Sequence, residues 1–501
     1  MDRKEKSAVI VTVAIIFLVY IGILSSWIHA GLIGQAEISS YYDMLSRGFA
    51  KGQPSLLEAP SQSLLSLADP YDPMQNHGLR LNDVSLYKGK YYLYWGPVPA
   101  GLFLIFHLFT SQPFSDAILV WFALSGLLIS NVAIILWIKH RFWDELPGWY
   151  VILSILIIGL SNPIPWLLGR PLVYEAAIAG GQFFLMTGIY WALTGLEGPV
   201  PNRLRLFLAS LFWAFAIGTR FSLLFAVFFL VIFCLFLLFY TQEPNPNKNN
   251  SSTKALVALL TPLVVMLGLL GLYNYFRFGS FFEFGLQYQL SVTYVHKIYA
   301  EHLVTSINYL IPSFYNYVLL PFGGLAKGYP FIKLLPANNP AYHGPAFTFE
   351  SLIGFIWSAP FVIFSLIPIA FGSMQALRLR SFSKGLILNR FKNPGSNRKS
   401  GLTWFPFLIG GTAIFGFLPL LFYFFGTIRF QMDFMPSLLL LSIYGLGTGL
   451  RASSSKPVTR RILVVSAFSL SILSILLGIL LGINSSFLQL CAYVSSQVCH
   501  Y

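Results

Sequence analysis

The sequence predicts an all-α, polytopic membrane protein, a single domain over 1–501 with about 11 transmembrane helices (10–13). Three observations carry that expectation. Hydrophobic residues make up 56% of the chain and aromatics 17%, with a mean hydropathy of +0.69, outside the range of soluble domains. Several apolar runs reach the roughly 20 residues that a helix needs to cross a bilayer. The basic residues are gathered in particular loops, as the positive-inside bias requires of cytoplasmic segments.

Taken in order, Met1-Asp-Arg-Lys-Glu-Lys precedes an apolar run over 7–28. That run is too long for a signal-peptide core and reads as a retained first span with its basic end in the cytoplasm. A hydrophilic stretch over 30–97 follows. The segment 98–110 is short enough to be re-entrant or interfacial rather than spanning. Further spans are expected at 117–138, 149–168, 173–193, 204–218, 223–240 and 255–276. After a second hydrophilic loop, 277–349, come 352–372, 404–425, 434–450 and 462–482.

Charge sets the orientation. The loop 375–402 carries Arg378, Arg380, Lys384, Arg390, Lys392, Arg398 and Lys399 without an acid, so it reads as cytoplasmic, as does the stretch around Arg451, Lys456, Arg460 and Arg461. Counting spans from both ends agrees if 98–110 does not cross. The N-terminus is then cytoplasmic, the C-terminus extracytoplasmic, and the inner membrane the expected location. This topology puts 20 of the 32 Lys and Arg inside with 6 of the 18 acids, which accounts for the whole net charge of +14. The basic excess therefore faces anionic lipid, and no nucleic-acid partner is implied. Three cysteines without a CxxC pair exclude a zinc ribbon or a thioredoxin-type site. Cys491 and Cys499 both fall in the expected outer tail, where a disulfide and two free thiols are equally open readings.

The stretch 30–97 concentrates chemistry in a chain that is only 10% charged. Glu37, Asp43, Glu58, Asp69, Asp72 and Asp83 lie there among Tyr41, Tyr71, Tyr87, Tyr92 and Trp95, with Lys88 and Lys90 nearby. Aromatic rings stack on the apolar faces of sugars while carboxylates accept their hydroxyl protons. An ordered cap with solvated acids is the competing reading. Asp43 stands four residues before Arg47, the spacing of an ion pair on a solvated helix face. Asp69, Asp72 and Asp83 fit simple turns, given the prolines of this stretch, as well as ligands to sugar or to a divalent cation. Arg429 and Asp433 stand at a membrane boundary, either as a mutual ion pair or as an anion-binding point.

Three pieces resemble the GT-C superfamily, the membrane glycosyltransferases that use lipid-phosphate-linked sugars. Glu37, Tyr41, Leu45, Phe49 and Gly52 follow the first span at helical spacing, with Glu where Asp is usual. Arg170-Pro-Leu-Val-Tyr-Glu175 places an acid five residues after an arginine, and Arg429-Phe430 leads through Pro436 into a late span. The closer likeness is to bacterial relatives of protein mannosyltransferases and aminoarabinose transferases. Asp69-Pro-Tyr-Asp-Pro, Lys90-Tyr-Tyr-Leu-Tyr-Trp-Gly-Pro and Asn274 to Gln289, which contains Arg277 and Glu283, further resemble an uncharacterised bacterial branch of that group.

The resemblance implies transfer of a sugar from a polyprenyl-phosphate donor to an extracytoplasmic acceptor, with inversion. In that reading Glu37 is the base, Arg170 orients Glu175, and Arg429 meets the donor phosphate, with Lys88, Lys90 and Arg277 as alternatives. Tyr41, Asp69, Asp72, Asp83, Tyr92, Glu283 and Asp433 complete the substrate-binding set. No metal ligands are assigned, and a divalent cation stays open. A transporter or lipid-carrier flippase is the alternative, against which stand the lack of an inverted repeat and of a mid-span acid. A non-catalytic assembly protein is a third reading.

Glu37→Gln keeps the size of the side chain and removes its proton affinity. It should lower turnover at least about 10²-fold in a purified transfer assay, with Glu37→Asp retaining activity. Wild-type turnover in Glu37→Gln would remove Glu37 from the chemistry.

Overall fold

The computed structural model describes residues 3–32, 39–197, 200–240, 246–328, 330–335, 348–370 and 401–493. Glu37, the basic loop 375–400 and Cys499 lie outside the described residues, as does the side chain of Cys491. The Glu37 and disulfide expectations therefore find no geometry here.

The chain is mostly helical. Its long helices are α1 (Arg3–Leu32), α4 (Asp116–Phe142), α7 (Val173–Gly195), α9 (Leu224–Tyr240), α10 (Pro246–Phe278), α11 (Gly401–Leu421) and α13 (Pro457–Tyr493). Among the described residues seven helices, one in each of these, are long and apolar enough to cross a membrane. Helix is the economical form for such sequences, because it satisfies every backbone polar group within the segment. α8 (Arg203–Thr219) and α12 (Met435–Ala452) are shorter and heavily buried. The apolar run 149–168 is divided into α5 (Gly148–Leu160) and α6 (Ile164–Gly169), since Pro163 has no N–H with which to continue a helix.

The described residues sort their charges to two ends of this bundle. At one end Lys139, near the C-terminus of α4, pairs with Glu5 at the start of α1. Arg451, closing α12, donates to the Phe142 carbonyl at 3.2 Å. The start of α4, the start of α7 and the loop before α12 lie at the opposite end, where the remaining polar structure gathers.

That end is built from the two long loops. β1 (Val84–Tyr87) and β2 (Lys90–Tyr92) form a hairpin whose two-residue loop, Lys88-Gly89, has φ of 48° and 71°. Positive φ at both central residues is what a tight right-twisted hairpin demands. β3 (Gln289–Leu290), from the second loop, pairs with β1 through Val84↔Leu290 and Ser85↔Gln289. This small sheet, absent from an all-helical expectation, ties 30–97 to 277–349. The loop then rests directly on the end of α8. A Cβ on Gly96 would lie 2.0 Å from the Gly218 carbonyl oxygen, so no larger residue fits.

α2 (Tyr41–Ala50) is the helix expected after the first span, and α3 (Val98–Phe106) packs against it. Nine residues of helix extend about 13.5 Å, so α3 by itself is far too short to cross a bilayer. Asp116 fastens the start of α2. Its carboxylate accepts the N–H groups of Tyr41 at 3.0 Å and Tyr42 at 3.2 Å, and the Ser39 hydroxyl. A negative charge at a helix N-terminus also meets the positive end of the helix dipole.

Asp43 corrects the sequence reading. It does pair with Arg47, at 2.7 Å, but it is only 3% exposed rather than on a solvated face. It also lies 2.7 Å from His107 Nε2 and accepts the Phe114 N–H at 3.1 Å, so it joins α2 to the segment after α3. Spacing reveals a pair; it does not reveal which face is covered. Because buried charge-assisted bonds are lost, Asp43→Asn should destabilise the purified protein by roughly 1–3 kcal/mol, read as a lower thermal midpoint. An unchanged midpoint would show that the carboxylate holds nothing.

Candidate functional site

Four distant segments bring their charged side chains together at the loop end of the bundle. The turn 428–433 supplies Arg429, the first turn of α7 supplies Tyr174 and Glu175, and the junction before α7 supplies Arg170. Glu350 follows the short strand Thr348–Phe349, which pairs in parallel with Phe425–Gly426 immediately before Arg429. Asp83 comes from the start of the hairpin.

Arg429 is 3% exposed. Its Nη1 lies 2.8 Å from Glu350 Oε2 and 3.7 Å from Glu175 Oε1, and its guanidinium carbon stands 4.5 Å from the centre of the Tyr174 ring. Arg170 Nη1 lies 3.6 Å from the same Glu350 oxygen, which also accepts the Thr427 hydroxyl at 3.1 Å. Desolvation works to raise the Glu350 carboxyl, but Arg429 and Arg170 outweigh it and hold the group below its usual range. Glu175 differs. It is fully buried, and neither carboxylate oxygen has a hydrogen-bond partner among the described residues. An ionised group so placed depends on the nearby guanidinium for its stability.

Asp83 stands on the other side of this charge. Its φ is 59°, in the left-handed region that costs energy for a residue with a side chain, and its N–H is held by the Leu290 carbonyl at 2.7 Å. Gln289 Nε2 lies 3.2 Å from Asp83 Oδ1 and 3.3 Å from the hydroxyls of both Tyr94 and Tyr174. Burial pushes the Asp83 carboxyl above its usual range, while Tyr174, Arg429, Gln289 and Arg170 pull it back. Trp95 packs edge-on to Tyr174 at 4.6 Å. The result is a carboxylate, an amide and phenols beside two guanidinium groups, a surface suited to sugar hydroxyls and an anion.

The turn that carries Arg429 is fastened on every side. Arg220 grips Asp433 with two parallel bonds, Nε to Oδ1 at 2.8 Å and Nη2 to Oδ2 at 2.7 Å. Asn162 donates to Gln431 at 2.7 Å, and Gln182 donates to the Asp433 carbonyl at 3.0 Å. This corrects the suggested Arg429–Asp433 ion pair: Asp433 belongs to Arg220, and Arg429 to Glu350 and Glu175. Arg170 likewise pairs with Glu350, with no ion pair to Glu175.

Of the residues singled out in the sequence, Asp83, Arg170, Glu175 and Arg429 meet here, with Asp433 one turn away. The other described candidates make their contacts elsewhere. Asp69 and Asp72 accept the N–H groups of Tyr71 and Met74, both at 2.9 Å, in side-chain turns, and Asp69 also accepts the Tyr294 hydroxyl. Lys88 is exposed at the hairpin tip, 5.2 Å above the Tyr87 ring. Tyr92 packs against Phe278 at 5.4 Å, and the Tyr41 hydroxyl reaches the Asn82 carbonyl at 2.8 Å. Arg277 spends its guanidinium on the Leu93 carbonyl and Asn274, stacked 4.0 Å from Tyr273. Glu283 closes a local turn onto Gly285 and Gln287.

Glu350, Arg220 and Gln289 escaped the sequence reading. Arg220 had a signal, as a lone charge between two apolar runs. Glu350 and Gln289 had none, since the groups they hydrogen-bond to through their side chains lie 77 to 206 positions away. Among the described residues no group of three His, Cys, Asp or Glu side chains is arranged to hold a metal ion. The chain matches no protein-family model, no curated protein and no solved structure.

Proposed function

We propose that this chain is a membrane glycosyltransferase with a GT-C-like architecture of about 11 spans. It would move a sugar from a polyprenyl-phosphate donor to an extracytoplasmic acceptor, with its N-terminus in the cytoplasm. One observation carries the reading: Arg170 and Arg429 converge with Glu175, Glu350 and Asp83 at one end of an apolar bundle, beside Tyr94, Trp95 and Tyr174. A lipid-linked donor has the matching parts. Its tail stays in the bilayer, its phosphate seeks planar guanidinium donors, and its sugar seeks carboxylates, amides and aromatic faces.

The chemistry needs the acceptor hydroxyl to attack the anomeric carbon as the bond to the phosphate breaks. Arg429 and Arg170 would stabilise the charge that develops on the departing phosphate. A carboxylate would take the hydroxyl proton. Glu37 holds that role on the strength of the motif after the first span. Among the described residues, Asp83 is the acid of the cluster that combines partial exposure with a carboxyl raised above its usual range. Asp83→Asn and Glu37→Gln therefore separate base from sugar contact, the base variant losing turnover at constant donor affinity.

Arg429→Lys keeps the charge but loses the planar fork, and should raise the donor concentration needed for half-maximal transfer about tenfold or more. Arg429→Ala should be worse. The measurement is donor dependence of transfer by purified protein from a lipid-linked sugar. Unchanged donor dependence in both variants would leave Arg429 as a structural charge only.

A further inference from the structure

We propose that Arg170 and Arg429 together form a phosphate-binding site that Glu350 occupies until the ligand arrives. The inference rests on the transferase reading only for where the phosphate comes from; the site itself follows from the geometry.

A single oxygen, Glu350 Oε2, accepts hydrogen bonds from Arg429 Nη1 at 2.8 Å and Thr427 Oγ1 at 3.1 Å, and Arg170 Nη1 stands 3.6 Å from it as an ion-pair partner. Two guanidinium groups and a hydroxyl converging on one anionic oxygen is the donor set that a phosphate oxygen takes. The carboxylate of Glu350 stands in for that oxygen. The two acids around Arg429 are also unequal. Glu175 has no exposed surface and is built into the first turn of α7. Glu350 is 35% exposed, and Arg170 is 31% exposed beside it. On one side Arg429 is thus backed by a fully buried acid, whereas on the other it meets an acid that is partly exposed.

Arg429 Nε adds a second observation. It is buried and has no hydrogen-bond partner among the described residues, although each guanidinium N–H lost to burial normally finds one. A phosphate has three or four oxygens where Glu350 has two, so exchange would let the ligand satisfy donors that the carboxylate leaves unused. The backbone is arranged for that exchange. The Glu350 N–H is held by the Gly426 carbonyl at 2.9 Å, which fixes the main chain there, and the exchange would need only the side chain to turn. Released, Glu350 would still lie close to the bound anion, and like charges at that range oppose binding. The acid thus sets a threshold: it keeps the arginines compensated when empty and excludes weakly held anions.

The test is equilibrium binding to the full-length protein in nanodiscs at pH 7, without acceptor. One arm uses inorganic phosphate and the other citronellyl phosphate, a short isoprenyl phosphate. Glu350→Gln, which keeps the shape but not the charge, should bind at least about tenfold tighter than wild type. Glu350→Asp, which draws the charge back by one methylene, should fall between them and serves should the Gln variant fold poorly. A gain confined to citronellyl phosphate marks a lipid headgroup as the ligand, and an equal gain with inorganic phosphate marks free phosphate. Either supports the site. Unchanged or weaker binding in both Glu350 variants would overturn it, as would a gain that survives when Arg170→Gln is added. A protein that binds in this way yet transfers no sugar would sink the transferase reading and leave the site standing.

Discussion

The burial of one guanidinium, that of Arg429, constrains most of what surrounds it. Moving such a charge out of water costs several kcal/mol after relaxation, and the cost is offset only by close counter-charges and filled hydrogen bonds. The surroundings supply both from far along the chain: Glu350 from just beyond the second loop, Glu175 and the Tyr174 ring from the start of α7. An arginine held this way cannot drift. Arg220 on Asp433, Asn162 on Gln431 and Gln182 on the Asp433 carbonyl turn the short segment 428–433 into a rigid mount. Removing a partner from a buried pair costs more than the pair contributed, so the arrangement resists partial loss.

The same end of the bundle gathers the loops that any substrate would meet. Pairing of β1 with β3 joins the first long loop to the second, and Gln289, a β3 residue, reaches Asp83, Tyr94 and Tyr174. The close approach of Gly96 to Gly218 sets these loops hard against α8. Asp116 and Asp43 do the equivalent work for α2, one holding its N-terminus and the other its flank. These acids are structural, and they explain why a loop so rich in carboxylates contributes only Asp83, among its described residues, to the charged cluster.

The sequence made the seven long apolar helices legible because apolar length is a local signal. It made Arg170, Glu175 and Arg429 legible because each lies in a short pattern at the mouth of a span. Their partners were not legible, for a physical reason. An ion pair such as Arg220–Asp433 joins residues 213 positions apart, and no spacing rule reaches across that distance. The i,i+4 rule found Asp43 and Arg47 but was silent on burial, because α3 and the segment after it, which cover that face, are distant in sequence. Lys88 and Lys90 read in the sequence only as basic residues, although Lys88 and Gly89 adopt the backbone of a tight turn between them.

The central claim is that the Arg170–Arg429 cluster receives a lipid-borne phosphate. Photo-crosslinking of the purified protein with an isoprenyl phosphate carrying a diazirine in its first isoprene unit tests it most directly, with adducts located by mass spectrometry. The account predicts adducts concentrated in the peptides that contain Tyr174 or Thr427, and their loss in Arg429→Ala. Adducts spread along the lipid-facing length of α13 and unchanged in Arg429→Ala would contradict it.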